Sequence, residues 1–384
     1  MQLFITGLGG SIVGPLIPVL AENFDVNLEK IGFTLSLNAF GILIASLFSG
    51  IIAERFGKKN ILILGNILFI ISFLCLYLLN HFIYFAVSYI IFGISWGMIF
   101  VNSFSIISDV SQSNISKAII RLNLGFILGA SLAPILVGSI LFLSIDWRYL
   151  FLSVALINVI LLISILSIKI KSLSNKKNGK NFISLFAANR RLLLNLIIIL
   201  CGIIVFLNYG AGFTFVTWFT TYFKKLNIPL TISSLMLSLY WLFLALGGFI
   251  KSILVIKFNE KKVMLFFSIL VFTFLFISFF IDWLVLKIVF IFLFGFSITS
   301  MSEITMSIGI KQDPQYSGSI TSIMMGYAWM GVAIFQYATG FLTEYFSGES
   351  LIYICLVALF LSIVFISILS FYYNNQLIKN KHGL

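Results

Sequence analysis

The chain has 384 residues, of which 61% are hydrophobic and only 9% charged, with a mean hydropathy of +1.14. A soluble domain carries roughly 25% charged residues to hold its hydration, so lipid rather than water must surround most of this surface, and the 43 Phe residues suit that solvent. The 24 basic residues outnumber 12 acidic ones, but they lie in short segments between apolar runs, a pattern of membrane orientation rather than a nucleic-acid footprint.

A hydrocarbon core about 30 Å thick needs roughly 20 apolar residues per helix. Apolar runs bounded by charges and turn residues predict twelve spanning helices, at 2–21, 31–53, 61–79, 82–107, 121–143 and 149–168, then 192–223, 231–254, 263–281, 284–309, 317–342 and 350–373. The first run opens at residue 2 without the basic region and small-residue cleavage site of a signal peptide, and is read as a spanning helix. Between the sixth and seventh spans, 169–191 includes Ser172-Leu-Ser-Asn-Lys-Lys-Asn-Gly-Lys180, too polar to bury a core, and reads as a linker. The expected organisation is thus an N-terminal bundle (1–168), a cytoplasmic linker (169–191), a C-terminal bundle (192–373) and a cytoplasmic tail (374–384). Cys75, Cys201 and Cys355 lie far apart in apolar runs, with no CxxC pair or metal-ligand spacing, so they read as small hydrophobes; no metal or cofactor is expected.

Charge placement fixes an orientation. With both termini inside, inner segments hold 19 of the 24 basic residues, Lys251 among them, leaving Lys30, Arg148, Lys224, Lys225 and Lys287 outside. Basic loops resist translocation, so both ends are expected in the cytoplasm. The halves also resemble each other: at an offset of 202 residues Arg55 meets Lys257, Phe56 meets Phe258, and the Gly-rich first span (Gly7, Gly9, Gly10, Gly14) meets Gly210 and Gly212. Internal duplication of this kind points to carriers that rock two bundles about a midplane site.

Gly50-Ile-Ile-Ala-Glu54-Arg55-Phe56-Gly57-Lys58-Lys59 lies between the second and third spans. Gly50 allows close helix approach and Gly57 a tight turn; Glu54 suits a helix N-terminus, and Arg55 is placed to pair with Asp109 at the inner end of span 4. The segment resembles the G-x-x-x-D-R-x-G-R/K-R/K loop of the major facilitator superfamily, with Glu54 for the usual Asp. The resemblance implies an all-α membrane protein of twelve helices in two pseudo-symmetric six-helix bundles. It also implies a conformational latch formed by Glu54 and Arg55 with Asp109. Arg121 to Pro134 resembles the Gly/Pro-rich fifth helix of that superfamily. Tyr209 to Tyr222 is similar to the seventh helix of its fucose-permease-like sugar:proton symporters, although Gly212 stands where that branch often has Glu. Tyr89 replaces the Arg that many proton-coupled members hold in span 4, so coupling through that position is not expected.

Polar groups within a bilayer are costly, and those facing a shared cavity are the first candidates for function. The resemblance places spans 1, 4, 7 and 10 around that cavity. Glu303 is the one acidic residue well inside a predicted span, with Thr299, Ser300 and Ser307 at i−4, i−3 and i+4. A carboxyl in low dielectric favours taking up a proton, which makes Glu303 the candidate proton or cation carrier; pairing with Lys311 is the structural alternative. Asn102, Asn208, Trp218, Tyr222 and Gln336 are candidate substrate contacts, offering amides and stacking surface beside Phe215; each equally suits helix packing or, for the aromatics, an interfacial belt. Asn38, Asn66 and Asn158 read as packing amides. The expected function is secondary transport of a small solute, a sugar or small organic metabolite, by ion-coupled alternating access in the cell membrane, as a monomer without nucleic-acid partners. Efflux of amphipathic compounds and a non-transporting sensor are the alternatives. No HExxH, GxSxG or P-loop is present, so an enzyme or an ATP-driven pump is not expected.

Overall fold

In the computed structural model the described residues are 1–78, 80–110, 115–167, 192, 194–299, 301–313, 316–346 and 349–382. Among them there are no strands. The reason is the solvent: where no water can satisfy a backbone N–H or C=O, a span must satisfy all of them within itself. The helices are α1 (Gln2–Phe24), α2 (Leu28–Phe56), α3 (Lys58–Leu78), α4 (Phe82–Val110), α5 (Ile115–Phe142), α6 (Arg148–Ser167), α7 (Leu196–Lys225), α8 (Leu230–Lys257), α9 (Glu260–Phe280), α10 (Leu284–Ile298), α11 (Met301–Ile310), α12 (Ser317–Tyr345) and α13 (Ser350–His382). Among the described residues, eleven stretches are long and apolar enough to cross a membrane, α10 and α11 counting together as one. The more polar α12 has the length, at 29 residues.

Ends and turns follow local chemistry. Asn27 caps α2 by accepting the Lys30 N–H at 3.0 Å, and Asn259 caps α9 through Lys261. Gly57, between α2 and α3, sits at φ 91°, a conformation that only glycine adopts cheaply. On α8, Leu235, Leu239, Leu242, Leu246, Phe249, Ile253 and Ile256 are all exposed. Their alternating spacing of four and three draws one apolar stripe about 30 Å long, the thickness of a hydrocarbon core. This face is built for lipid.

Two expectations need correction. The span at 284–309 is not one helix: α10 ends at Thr299, which is extended at ψ 150°, and α11 begins two residues later. The polar stripe expected from Thr299 through Ser307 therefore does not lie on one helical face, and Ser300 is outside the described residues. Nor does Gly50 bring helices together, since a Cβ there would meet only Val101, at 4.0 Å. The close α2–α4 approach lies further along, where a Cβ on Gly97 would meet the Ile42 carbonyl at 2.6 Å. The linker 169–191 falls outside the described residues. So do the side chains of the tail, although α13 continues through it to His382.

The helices gather into two compact units: 1–174 with 214–242 and 333–351, and 175–213 with 243–332 and 352–384. In the first, α1 packs on α5, α2 on α4, and α3 on α4 and α6. Small residues on α1 seat aromatic rings: a Cβ on Gly10 would meet Trp96 at 2.6 Å, and one on Gly9 would meet Phe69 at 2.8 Å. Phe69 stacks on Phe73 at 4.3 Å, and Phe92 and Phe151 meet these rings edge-on. Buried amides tie the helices, with Asn38 donating to the Tyr89 carbonyl at 2.6 Å and Gln2 to Asn66 at 3.1 Å. In the second unit, α9 packs on α10 and α11 beside a core that includes Ile197, Cys201, Met264, Phe267, Met324 and Ile366.

Candidate functional site

The first unit contains a cluster of contacts where the ends of α1, α2 and α5 meet the second half of α7, the first half of α8 and the second half of α12. Gly32 and Gly340 let α2 and α12 touch backbone to backbone, with a Cβ on Gly340 meeting Leu28 O at 2.7 Å and Gly32 Cα at 2.8 Å. Around this contact, Glu29 accepts the hydroxyls of Tyr337 (3.2 Å) and Tyr345 (2.9 Å), and Glu344 accepts the Leu28 N–H at 2.8 Å. Lys224 pairs with Glu22, and Lys225 donates to the Thr343 carbonyl at 2.8 Å. Deeper in, Thr220 donates to the Gly14 carbonyl at 3.2 Å.

At the bottom of this cluster, Trp218 Nε1 donates to Gln336 Oε1 at 2.7 Å, and Gln336 Nε2 donates to Thr217 Oγ1 at 3.0 Å. Both Trp218 and Gln336 are buried. Tyr222 lies one helical turn beyond Trp218, its hydroxyl without a hydrogen-bond partner among the described residues. It borders a cavity of about 390 Å³ with Lys225, Leu226 and Glu349. Two of the expected substrate contacts are thus joined to each other, and a third sits beside them.

The second unit holds the charged locus. Lys251, on α8, is 0% exposed. Its Nζ donates to the carbonyls of Phe296 (3.3 Å), Ser297 (2.5 Å) and Thr299, and lies 4.6 Å from the centre of the Phe267 ring. These carbonyls belong to the end of α10, where the last turn of a helix has no intrahelical donors and carries the negative end of its dipole. Gly247, one turn earlier on α8, would drive a Cβ into the Phe296 carbonyl. Across the break, Glu303 stands in the first turn of α11, where the dipole favours an anion. Its side chain is exposed. Tyr209 stacks on Phe213 at 4.7 Å, and Trp329 closes the group at 5.8 and 5.5 Å.

Glu303 therefore sits where sequence reasoning places it, in the interior of a span, but with a different neighbour. Lys311 pairs instead with Glu260, at 2.7 Å. Sequence reasoning misses Lys251: it counts among the orientation charges because it lies near Lys257, whereas its partners stand 45 to 48 residues away. Asn208 is spent on packing, donating to Ile204 O (3.1 Å) and to Ser362 Oγ on α13 (2.9 Å). Asn102 donates to Met98 O at 2.8 Å, and its buried Oδ1 has no partner among the described residues. No cluster of three or more His, Cys, Asp or Glu able to hold a metal occurs among the described residues.

The sequence profile of the Major Facilitator Superfamily matches residues 1–325. The chain belongs to the major facilitator superfamily. With eleven candidate membrane spans among the described residues, it is a multi-pass membrane protein of that superfamily. Solved structures of the same fold include the D-xylose-proton symporter, at TM-score 0.76 and 15% identity over 95% of this chain and 94% of that one. Another is a mutant of the nucleoside transporter NupG, at TM-score 0.78 and 14% identity over 96% and 98%. Among curated relatives, the quinolone resistance protein NorA of Staphylococcus aureus (strain MRSA252) is 32% identical over 133 residues, or 33% of this chain and 34% of that protein. The match thus spans about a third of the length of such relatives. A TsgA homolog of Buchnera aphidicola subsp. Baizongia pistaciae (strain Bp) is 23% identical over 88% of this chain and 85% of that protein.

The loop that resembles the superfamily's signature lies between α2 and α3. Arg55 is exposed and lies 5.5 Å from the centre of the Phe56 ring, Gly57 makes the turn, and Lys59 Nζ donates to the Leu166 carbonyl of α6 at 3.0 Å. Lys58 is half-buried in the first turn of α3. The side chains of Glu54 and Asp109 fall outside the described residues.

Proposed function

We propose that this major facilitator is a secondary transporter of a small solute that couples transport to protons through Glu303. The observation that carries the reading is the position of that carboxylate: exposed, in the interior of a span, and in the first turn after a helix break whose other side holds the Lys251 amine. An ionisable group at membrane depth is costly unless it does something, and broken spans are where carriers build ion and substrate sites. Alternating access would rock the bundles 1–168 and 192–373, joined by the linker 169–191. The contacts around Gly32–Gly340, with Trp218, Gln336 and Tyr222 beneath, would close one end. A latch of Gly50, Glu54, Arg55, Gly57, Lys58, Lys59 and Asp109 would hold the other. Asn102 and the aromatic cluster would contact solute. With both termini cytoplasmic in the cell membrane, the Gly32–Gly340 end faces outward.

The test is flux into liposomes of purified protein under an imposed pH gradient, across a panel of sugars and small organic metabolites. Glu303→Gln should abolish gradient-driven accumulation while sparing exchange of labelled for unlabelled solute; accumulation unchanged in the variant removes Glu303 from coupling. A second reading, proton-driven export of amphipathic cations, draws on the ring cluster of Tyr209, Phe213 and Trp329 in the same unit. Such rings bind cations through their faces, and the partial similarity to quinolone resistance proteins favours it. A fluorescent amphipathic cation included in the panel separates the two readings.

A further inference from the structure

We infer that the break in the tenth span is a monovalent-cation site whose resident ion is the chain's own Lys251 ammonium. A lysine that served only to orient the protein would extend its stem and leave its amine at the interface. Lys251 does the opposite: it is fully buried, and its amine is surrounded by oxygen. The carbonyls of Phe296, Ser297 and Thr299 converge on it from the open end of α10, and Glu303 stands across the break in the first turn of α11. Three carbonyl oxygens form a hard donor set of the sort that replaces the hydration shell of an alkali cation, and a carboxylate across the same break supplies the matching charge.

Two further groups border the amine. The Phe267 ring lies 4.6 Å from the amine and offers its π-face, and Gly247 brings the α8 backbone against the Phe296 carbonyl. The ammonium supplies the charge that the carbonyls demand without a dissociable ion. The wild-type protein should accordingly be indifferent to sodium here, and removing the amine should leave a vacancy that a small cation fills. This deepens the coupling reading by naming a second function for the same break. It is read out by binding rather than flux, so either can fail alone.

The experiment uses full-length protein in detergent, with melting followed by tryptophan fluorescence and with radiolabelled sodium binding, in sodium against choline chloride. Wild type should bind no sodium and melt at the same temperature in both salts. Lys251→Ala should bind sodium saturably, melt higher in sodium than in choline, and lose both responses on adding Glu303→Gln. Should Lys251→Ala be unstable, purification in butylammonium, which restores an amine on an equivalent stem, should recover a monodisperse protein where choline does not. A folded Lys251→Ala protein blind to sodium overturns the inference. So does wild-type protein that binds sodium in a Glu303-dependent way, or a variant that neither sodium nor butylammonium recovers.

Discussion

Gln336 spends both ends of its amide on α7, accepting from Trp218 and donating to Thr217. A buried acceptor that loses its donor costs about 1–3 kcal/mol, and under the proposed alternating access that cost would fall only on the state in which the pair is formed. Trp218→Phe, which keeps the ring and removes the N–H, should therefore shift the balance toward opening of this end by roughly five- to 150-fold. The readout is the rate at which a water-soluble maleimide modifies a cysteine placed at Thr217, faster in the Trp218→Phe background; an unchanged rate would mean that the pair is indifferent to conformation. Sequence reasoning identifies Trp218 and Gln336 separately as polar groups in spans. It does not pair them, because 118 residues separate them and no periodicity links one helix to another. Gly57 is legible for the opposite reason, since a turn at φ 91° and ψ 135° is a local demand that glycine answers without steric cost.

At the scale of the element, the twelve spans are legible because lipid imposes a length and an apolarity that composition displays directly. The break between α10 and α11 is not. No proline or glycine marks 298–302, and the freed carbonyls are satisfied by Lys251 from another helix, so the cause of the break is non-local. The α2–α12 contact is the converse case, where two glycines serve one junction. Gly340→Val would place methyl groups where Leu28 O and Gly32 Cα already stand at under 3 Å from a bare Cβ. Neither backbone atom can yield as a flexible side chain would, so the helices must part, taking Tyr337 and Tyr345 away from Glu29. The variant should insert and remain monodisperse, as it does not disturb α2–α4 packing. It should lose net transport at least tenfold, and cysteines at Glu29 and Tyr345 that cross-link in a Gly340 background should fail to do so. Cross-linking at the original rate would show that the junction tolerates bulk.

Orientation belongs to the whole molecule. Removing buried Lys251 from the 19 inner charges leaves 18 against five outside, so the bias survives the correction. Its strength lies in distribution: the proposed linker alone carries Lys169, Lys171, Lys176, Lys177, Lys180, Arg190 and Arg191, and short basic segments near span ends are those that resist translocation. Two of the five outer charges are also accounted for by partners, Lys224 by Glu22 and Arg148 by Asp146, which lowers their weight as competing signals. An even number of crossings then puts residues 172–180 on the same side as both termini and Asn80, in the exposed turn between α3 and α4, on the other. Intact cells bearing Asn80→Cys should react with a membrane-impermeant maleimide, whereas Ser174→Cys should react only after permeabilisation. Cys75, Cys201 and Cys355 lie within spans, the last two buried, and give little background. Reversal of the two results would place the Gly32–Gly340 contacts on the cytoplasmic side, making them the inner gate and inverting the direction in which Glu303 is loaded.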